Sequence, residues 1–131
     1  MARCMRLALA DARLGADAID YLNAHATGTV QGDIAESMAI HEVFGDQTAV
    51  SSLKGHLGHT MAASGALELI ASLGMMTHGS VLPTLNLDKP DPACAPLRWV
   101  REIETWQPQT FVKNSFALGG VNSSLVVRSS A

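Results

Sequence analysis

The stretch from Thr60 to Thr77 constrains the fold most. It reads as a helix whose only charged residue is Glu68, with Thr60, Ser64, Glu68 and Ser72 recurring at every fourth position. Apart from the closing Thr77, every other position is apolar or glycine, so the pattern predicts a helix buried nearly all round. An unpaired ionised carboxylate in such a place is too costly to leave alone. Glu68 therefore requires a cationic or hydrogen-bonding partner, and Lys54, in the loop that feeds the helix, is the candidate. In isolation the pair reads as a structural ion pair.

The elements around it follow from periodicity and punctuation. Met1 to Leu14 places apolar residues on one helical face and meets a stop at Gly15. Ile19 to Ala24 reads as a strand. Asp33-Ile-Ala-Glu36 opens a second helix with a capping-box-like pattern, and the helix runs through Phe44 to Gly45. Thr48 to Leu53 is a second strand. Ser80 to Leu87 is extended around Pro83, and prolines 90, 92 and 96 make Asp88 to Pro96 a loop. Leu97–Val100, Phe111–Leu118 and Asn122–Arg128 read as strands, the last two joined by a Gly119-Gly120 hairpin turn. This order predicts an α/β fold, a mixed sheet layered with helices.

At 131 residues the chain is read as one domain over residues 1–131. Hydrophobic residues make up 47% and charged residues only 16%, an oily balance that predicts a face covered by another domain or chain. Self-association or hetero-pairing is the corresponding expectation. No apolar run approaches the ~18 residues of a membrane span. Arg3, Arg6, Asp11 and Arg13 interrupt the opening helix, which is not a signal-peptide pattern, so the default compartment is the cytoplasm. The net charge is −3, and without a basic cluster nucleic-acid binding has no electrostatic support. Cys4 and Cys94 lack metal-type spacing and are read as reduced, structural residues.

Chemistry is expected where polar or glycine residues interrupt apolar elements. Four segments qualify: Asn23-Ala-His-Ala-Thr-Gly-Thr29, Ser51-Ser-Leu-Lys-Gly-His-Leu-Gly-His59, Gly65-Ala-Leu-Glu68 and Asn114 to Asn122. The first two begin at the C-terminal ends of predicted strands, the edge at which open α/β sheets hold ligands. His25 there is either a hydrogen-bonded structural histidine or a functional one. His59 immediately precedes the helix expected from Thr60, whose positive end disfavours imidazolium. A neutral ring keeps an N–H that can donate to a developing oxyanion. His56 and His59 form an H-x-x-H, but no acidic residue or cysteine joins them and glycines flank both, so no metal site is expected. Gly55, Gly58 and Gly65 match neither nucleotide-binding glycine pattern.

Together the four segments resemble the C-terminal half of β-ketoacyl–acyl-carrier-protein synthases I and II, members of the thiolase-like condensing enzymes. Asn23 to Thr29 is similar to the family's first histidine motif, continued by Gly32-Asp33 and Glu36. Ser51-Ser52, Lys54 and Gly58-His59 are similar to its lysine and second histidine motif. Gly65-Ala66 and Glu68 match its glutamate motif, and Asn114-Ser115-Phe116, Gly119-Gly120 and Asn122 its closing hairpin. The likeness covers residues 2 to 128 and implies a thiolase-like half-domain and an acyltransferase activity, a decarboxylating Claisen condensation of malonyl–acyl-carrier protein with an acyl thioester. It implies that His25 and His59 donate hydrogen bonds to the malonyl thioester oxygen and that Lys54 and Glu68 hold the network. It implies that Thr27 and Thr29 contact the phosphopantetheine arm, and that the Leu118 N–H beside Gly119 supplies half of an oxyanion hole. No bound cofactor is implied, since the substrate rides on the phosphopantetheine of acyl-carrier protein, the expected partner. Two departures stand out. Neither cysteine lies in a motif like the family's nucleophile, so the resemblance implies that the N-terminal ketosynthase half, carrying that cysteine, is a further partner. Leu118 stands where a phenylalanine is usual. A non-catalytic partner subunit, like a chain-length factor, is the competing expectation.

Overall fold

A computed structural model describes residues 1–130. The chain folds into an α/β layer structure with one five-stranded sheet of order β3-β2-β1-β4-β5. Its strands are β1 (Tyr21–Asn23), β2 (Ala49–Ser51), β3 (Arg98–Trp99), β4 (Thr110–Phe116) and β5 (Asn122–Arg128). The first four run parallel to their neighbours, and β5 pairs antiparallel with β4 through the Gly119-Gly120 hairpin. The sheet is therefore mixed, as the element order predicts.

Four helices complete the fold: α1 (Ala2–Ala12), α2 (Val30–Phe44), α3 (Lys54–Leu57) and α4 (Ser64–His78). Strand alternation divides them between two cores. Leu22, Val50 and Val112 face Met5 and Leu9 of α1 and Ile40 and Phe44 of α2. Tyr21, Ala49 and Phe111, one residue earlier on each strand, face Met75 and Met76 of α4 together with Val81 and Val100. A period of two on paired strands thus sends one row of side chains to each layer. The same alternation turns the next row, Asn23, Ser51 and Lys113, toward α4. These three are register partners at the ends of β1, β2 and β4, and all are buried.

Several expectations require correction. The first helix ends at Ala12, and Arg13 rather than Gly15 takes the left-handed cap conformation (φ 55°). The second helix begins at Val30, three residues before the expected Asp33 cap. The long helix starts at Ser64 rather than Thr60, because Met61 adopts a positive φ of 53° and opens a 3₁₀ turn over Met61–Ala63. His59 consequently does not cap α4, and the helix-dipole argument for its neutral ring loses its geometry.

Burial of α4 all round is corrected as well. Its polar stripe, Ser64, Glu68 and Ser72, is the buried one, whereas Leu67, Ile70 and Leu73 are 41%, 64% and 40% exposed. The inward face can be polar because it meets the buried polar row of the strands. Among the described residues nothing covers the outward apolar face. Among the described residues no helix is long and apolar enough to cross a membrane.

Candidate active site at the carboxyl edge of the sheet

Parallel β1 and β2 end side by side, so the loops leaving them are neighbours. His25 follows β1 by two residues, and its backbone is held by a carboxylate. Glu36, 2% exposed on α2, accepts the His25 N–H at Oε1 (2.8 Å) and the Ala26 N–H at Oε2 (2.7 Å). Asn114 on β4 donates its side-chain amide to the same Oε1 at 3.3 Å. Burial pushes the Glu36 carboxyl above its ordinary range, against the pull of these donors. Sequence reading carried Glu36 only as part of a motif. Its signal is an acidic residue nearly two helical turns inside α2, on the face turned to the sheet.

The β2 loop returns through α3 to His59. Gly58 stands between them at φ 72°, ψ 177°, a conformation essentially reserved to glycine. Gly55 is needed for another reason: a β-carbon there would sit 2.8 Å from Leu85 Cβ and 2.9 Å from the Leu85 carbonyl oxygen. The two loops bring the His25 and His59 rings edge to face with centroids 5.4 Å apart, and Phe116 lies against His25 at 6.3 Å. His25 is half-buried and His59 exposed. His56 points elsewhere, its Nε2 lying 2.9 Å from the Pro83 carbonyl.

Behind the histidines lies a buried charge cluster. Lys54 donates to Glu68 Oε1 at 2.6 Å, and Ser64 donates to the same oxygen at 2.6 Å. Lys113 Nζ stands 2.8 Å from Glu68 Oε2. Burial raises the Glu68 carboxyl, but Lys113, Lys54 and Ser64 outweigh it and hold the group below its usual value. The His25 pKa is lowered to about 4. Burial is the main cause, Lys54, Lys113 and His59 add to it, and Glu68 opposes it. The Asn23 carboxamide oxygen is buried in the same region without a partner, while its nitrogen donates to the Tyr21 hydroxyl at 3.3 Å.

The remaining candidates rim this edge. Thr27 and Thr29 face each other, Oγ1 to Oγ1 3.3 Å, in the loop beyond His25. Leu118 is fully exposed at the hairpin tip, followed by Gly119 at φ 87°. Cys4 lies in α1. Cys94 lines a separate cavity of about 260 Å³ between α2 and the proline loop, into which neither His25 nor His59 projects. The arrangement offers two imidazoles at an open edge, backed by buried ammoniums.

The β-ketoacyl synthase C-terminal domain family matches residues 1–88. The chain belongs to that family. β-Ketoacyl synthases similar to it include 3-oxoacyl-[acyl-carrier-protein] synthase 1 of Escherichia coli K12, 43% identical over 128 residues. That alignment covers 96% of this chain and 30% of the relative. The fold matches the crystal structure of a β-ketoacyl synthase from Burkholderia phymatum with a TM-score of 0.96 at 48% identity, covering 99% of this chain and 32% of that one. It matches the ishigamide ketosynthase/chain length factor at 0.94 and 37% identity, covering 99% and 32%. The chain thus spans about a third of the length of the β-ketoacyl synthases it resembles.

The Glu36 contacts carry a direct prediction. Glu36→Gln keeps the size but turns an amide N–H₂ toward one of two backbone donors that now share a carboxylate. Charge-assisted bonds of this kind are worth about 1.5–3 kcal/mol. Urea unfolding should register a loss of that order, and an unchanged midpoint would show the carboxylate to be dispensable.

Proposed function

We propose that this chain forms the enolate-stabilising part of a β-ketoacyl–acyl-carrier-protein synthase and works with a second segment that supplies the thioester cysteine. The observation that carries the reading is the convergence of His25 and His59 at the open sheet edge, with His25 held neutral. In the complete site, the carboxylate of malonyl–acyl-carrier protein leaves as carbon dioxide and its bonding pair becomes an enolate. The two imidazole N–H groups donate to the enolate oxygen. The enolate carbon attacks the acyl thioester carbonyl, whose oxyanion receives the Leu118 N–H, and the thiolate departs. Lys54 and Glu68 hold the wall behind the histidines, and Thr27 and Thr29 contact the pantetheine arm of the carrier protein.

The apolar face of α4 supports the need for a second segment. Leu67, Ile70 and Leu73 form an uncovered stripe beside the site, and such a stripe belongs at an interface. The experiment joins this chain with the remaining N-terminal portion of the E. coli relative and follows carbon dioxide release from malonyl–acyl-carrier protein and acyl elongation by mass spectrometry. The expected result is no elongation by the pure chain and turnover by the joined protein. Elongation by the pure chain, or a joined protein that loads acyl groups without decarboxylating, overturns the reading.

Similarity to the ishigamide ketosynthase/chain length factor gives a second reading, a non-catalytic partner subunit. It predicts that His25→Ala leaves the activity of the paired complex unchanged. Retention of His25, His59, Lys54 and Glu68 as one connected cluster favours the catalytic reading, because a scaffold has no use for it.

A further inference from the structure

Lys113 is a buried charge to which the proposed condensation gives no task. It is 2% exposed on β4, in register with Asn23, from which the chain runs two residues on to His25. Its ammonium donates to the Asn114 carbonyl and to Ser115 Oγ at 3.3 Å, and it stands 2.8 Å from Glu68 Oε2 as an ion pair, without a hydrogen bond to that oxygen. Every one of these contacts fixes it in place, and none faces solvent. Glu68 therefore serves two ammoniums at once, with Oε1 given to Lys54 and Ser64 and Oε2 to Lys113.

An ion pair needs one lysine, and adding a second to a buried carboxylate brings an extra desolvation cost. The extra charge also has an electrostatic result. Two ammoniums against one carboxylate leave the Lys54–Glu68–Lys113 cluster positive. We infer that Lys113 is a positioning residue that locks the Glu68 carboxylate and makes the wall behind His25 positive, thereby keeping the His25 ring neutral. A neutral imidazole donates one N–H to an enolate oxygen without transferring a proton to it, whereas imidazolium would quench the carbanion.

Charged groups stand around His25 on several elements. Lys54 on α3, Lys113 on β4 and His59 from the loop after α3 disfavour its protonation, while Glu68 on α4 favours it. Phe116 covers one edge of the ring. Glu36 on α2 meets the backbone N–H of His25. Burial is the largest influence, so removing Lys113 shifts the equilibrium without abolishing it. Burial also draws Lys113 itself below its ordinary range, and Glu68 opposes that fall.

The test is an NMR titration of the five histidines in this chain without substrate. The inference rests on the condensation reading only for its catalytic consequence, so failure of either leaves the other standing. In the unaltered chain His25 titrates near 4. Lys113→Met should raise it by about one unit, the effect of a unit charge ~10 Å away at an effective dielectric of ~20. Lys113→Arg, which keeps the charge, should leave it in place. No shift in Lys113→Met, or a downward one, overturns the inference. If Lys113→Met does not fold, Lys113→Met combined with Glu68→Gln is measured instead. Its reference is Glu68→Gln alone, against which the added loss of Lys113 should raise the His25 titration by about one unit. Equal values in the single and the double variant, or a lower one in the double, overturn the inference equally.

Discussion

Glu68→Ala will destabilise the fold by about 3–5 kcal/mol, the cost of stranding buried charge. Native domains are stable by only about 5–15 kcal/mol, so the variant will be close to unfolding. The size follows from what Glu68 holds. Its two oxygens carry the Lys54 and Lys113 ammoniums, whose side chains are 6% and 2% exposed, and Ser64 besides. Without the carboxylate, two positive charges face each other in a dry layer between α4 and the sheet. The control separates stranded charge from lost packing. Glu68→Leu combined with Lys54→Met and Lys113→Met removes all three charges, and buried ion clusters replaced by apolar residues of similar volume are often neutral or more stable. Urea unfolding of both proteins decides the matter. Should the triple variant be as unstable as Glu68→Ala, packing rather than charge sets the cost.

This cluster also shows what the sequence discloses. That Glu68 needs a partner follows from one charge on an apolar helix, and Lys54 is indeed within reach. Lys113 is not legible in the sequence, because Phe111-Val112-Lys113-Asn114 reads as an ordinary strand segment. Its inward orientation becomes apparent only once register places it on the Phe111 side, with Tyr21 and Asn23 of β1. Strand ends were overestimated for a related reason. β1 and β2 pair over only three residues each, although β4 on the other side of β1 runs for seven, and pairing length is a tertiary property. The late start of α4 rests on Met61 at φ 53°, a conformation for which methionine gives no local cue. The layered order, the mixed sheet and the Gly119-Gly120 turn were legible, since periodicity and glycine punctuation are local. The exposed stripe on α4 was not, because an all-apolar helix tells that cover is needed and never how much of it the same chain provides.

If the proposed function holds, His25→Ala and His59→Ala in the joined protein will each slow malonyl decarboxylation by about 10²–10³-fold, the usual cost of one lost oxyanion donor. Acyl loading onto the thioester cysteine will change far less, since that step develops no enolate at these rings. The asymmetry is the decisive part, because a structural histidine would depress both steps alike. His25 is the more exacting case. Its low pKa, about 4, means that the acidic limb of decarboxylation should fall near that value rather than near the ordinary ~6.5 of a free imidazole. The sign follows from the form required. Under the proposed function the neutral ring is the donor, so activity should persist as pH drops through ~6.5 and be lost only as His25 gains its proton. In Lys113→Met the limb should move upward together with the His25 titration. Rates measured from pH 4 to 8 under single-turnover conditions, with loading followed in parallel, provide the check. If loading collapses while decarboxylation survives, or if the limb stays near 6.5, His25 is not the neutral donor to the enolate.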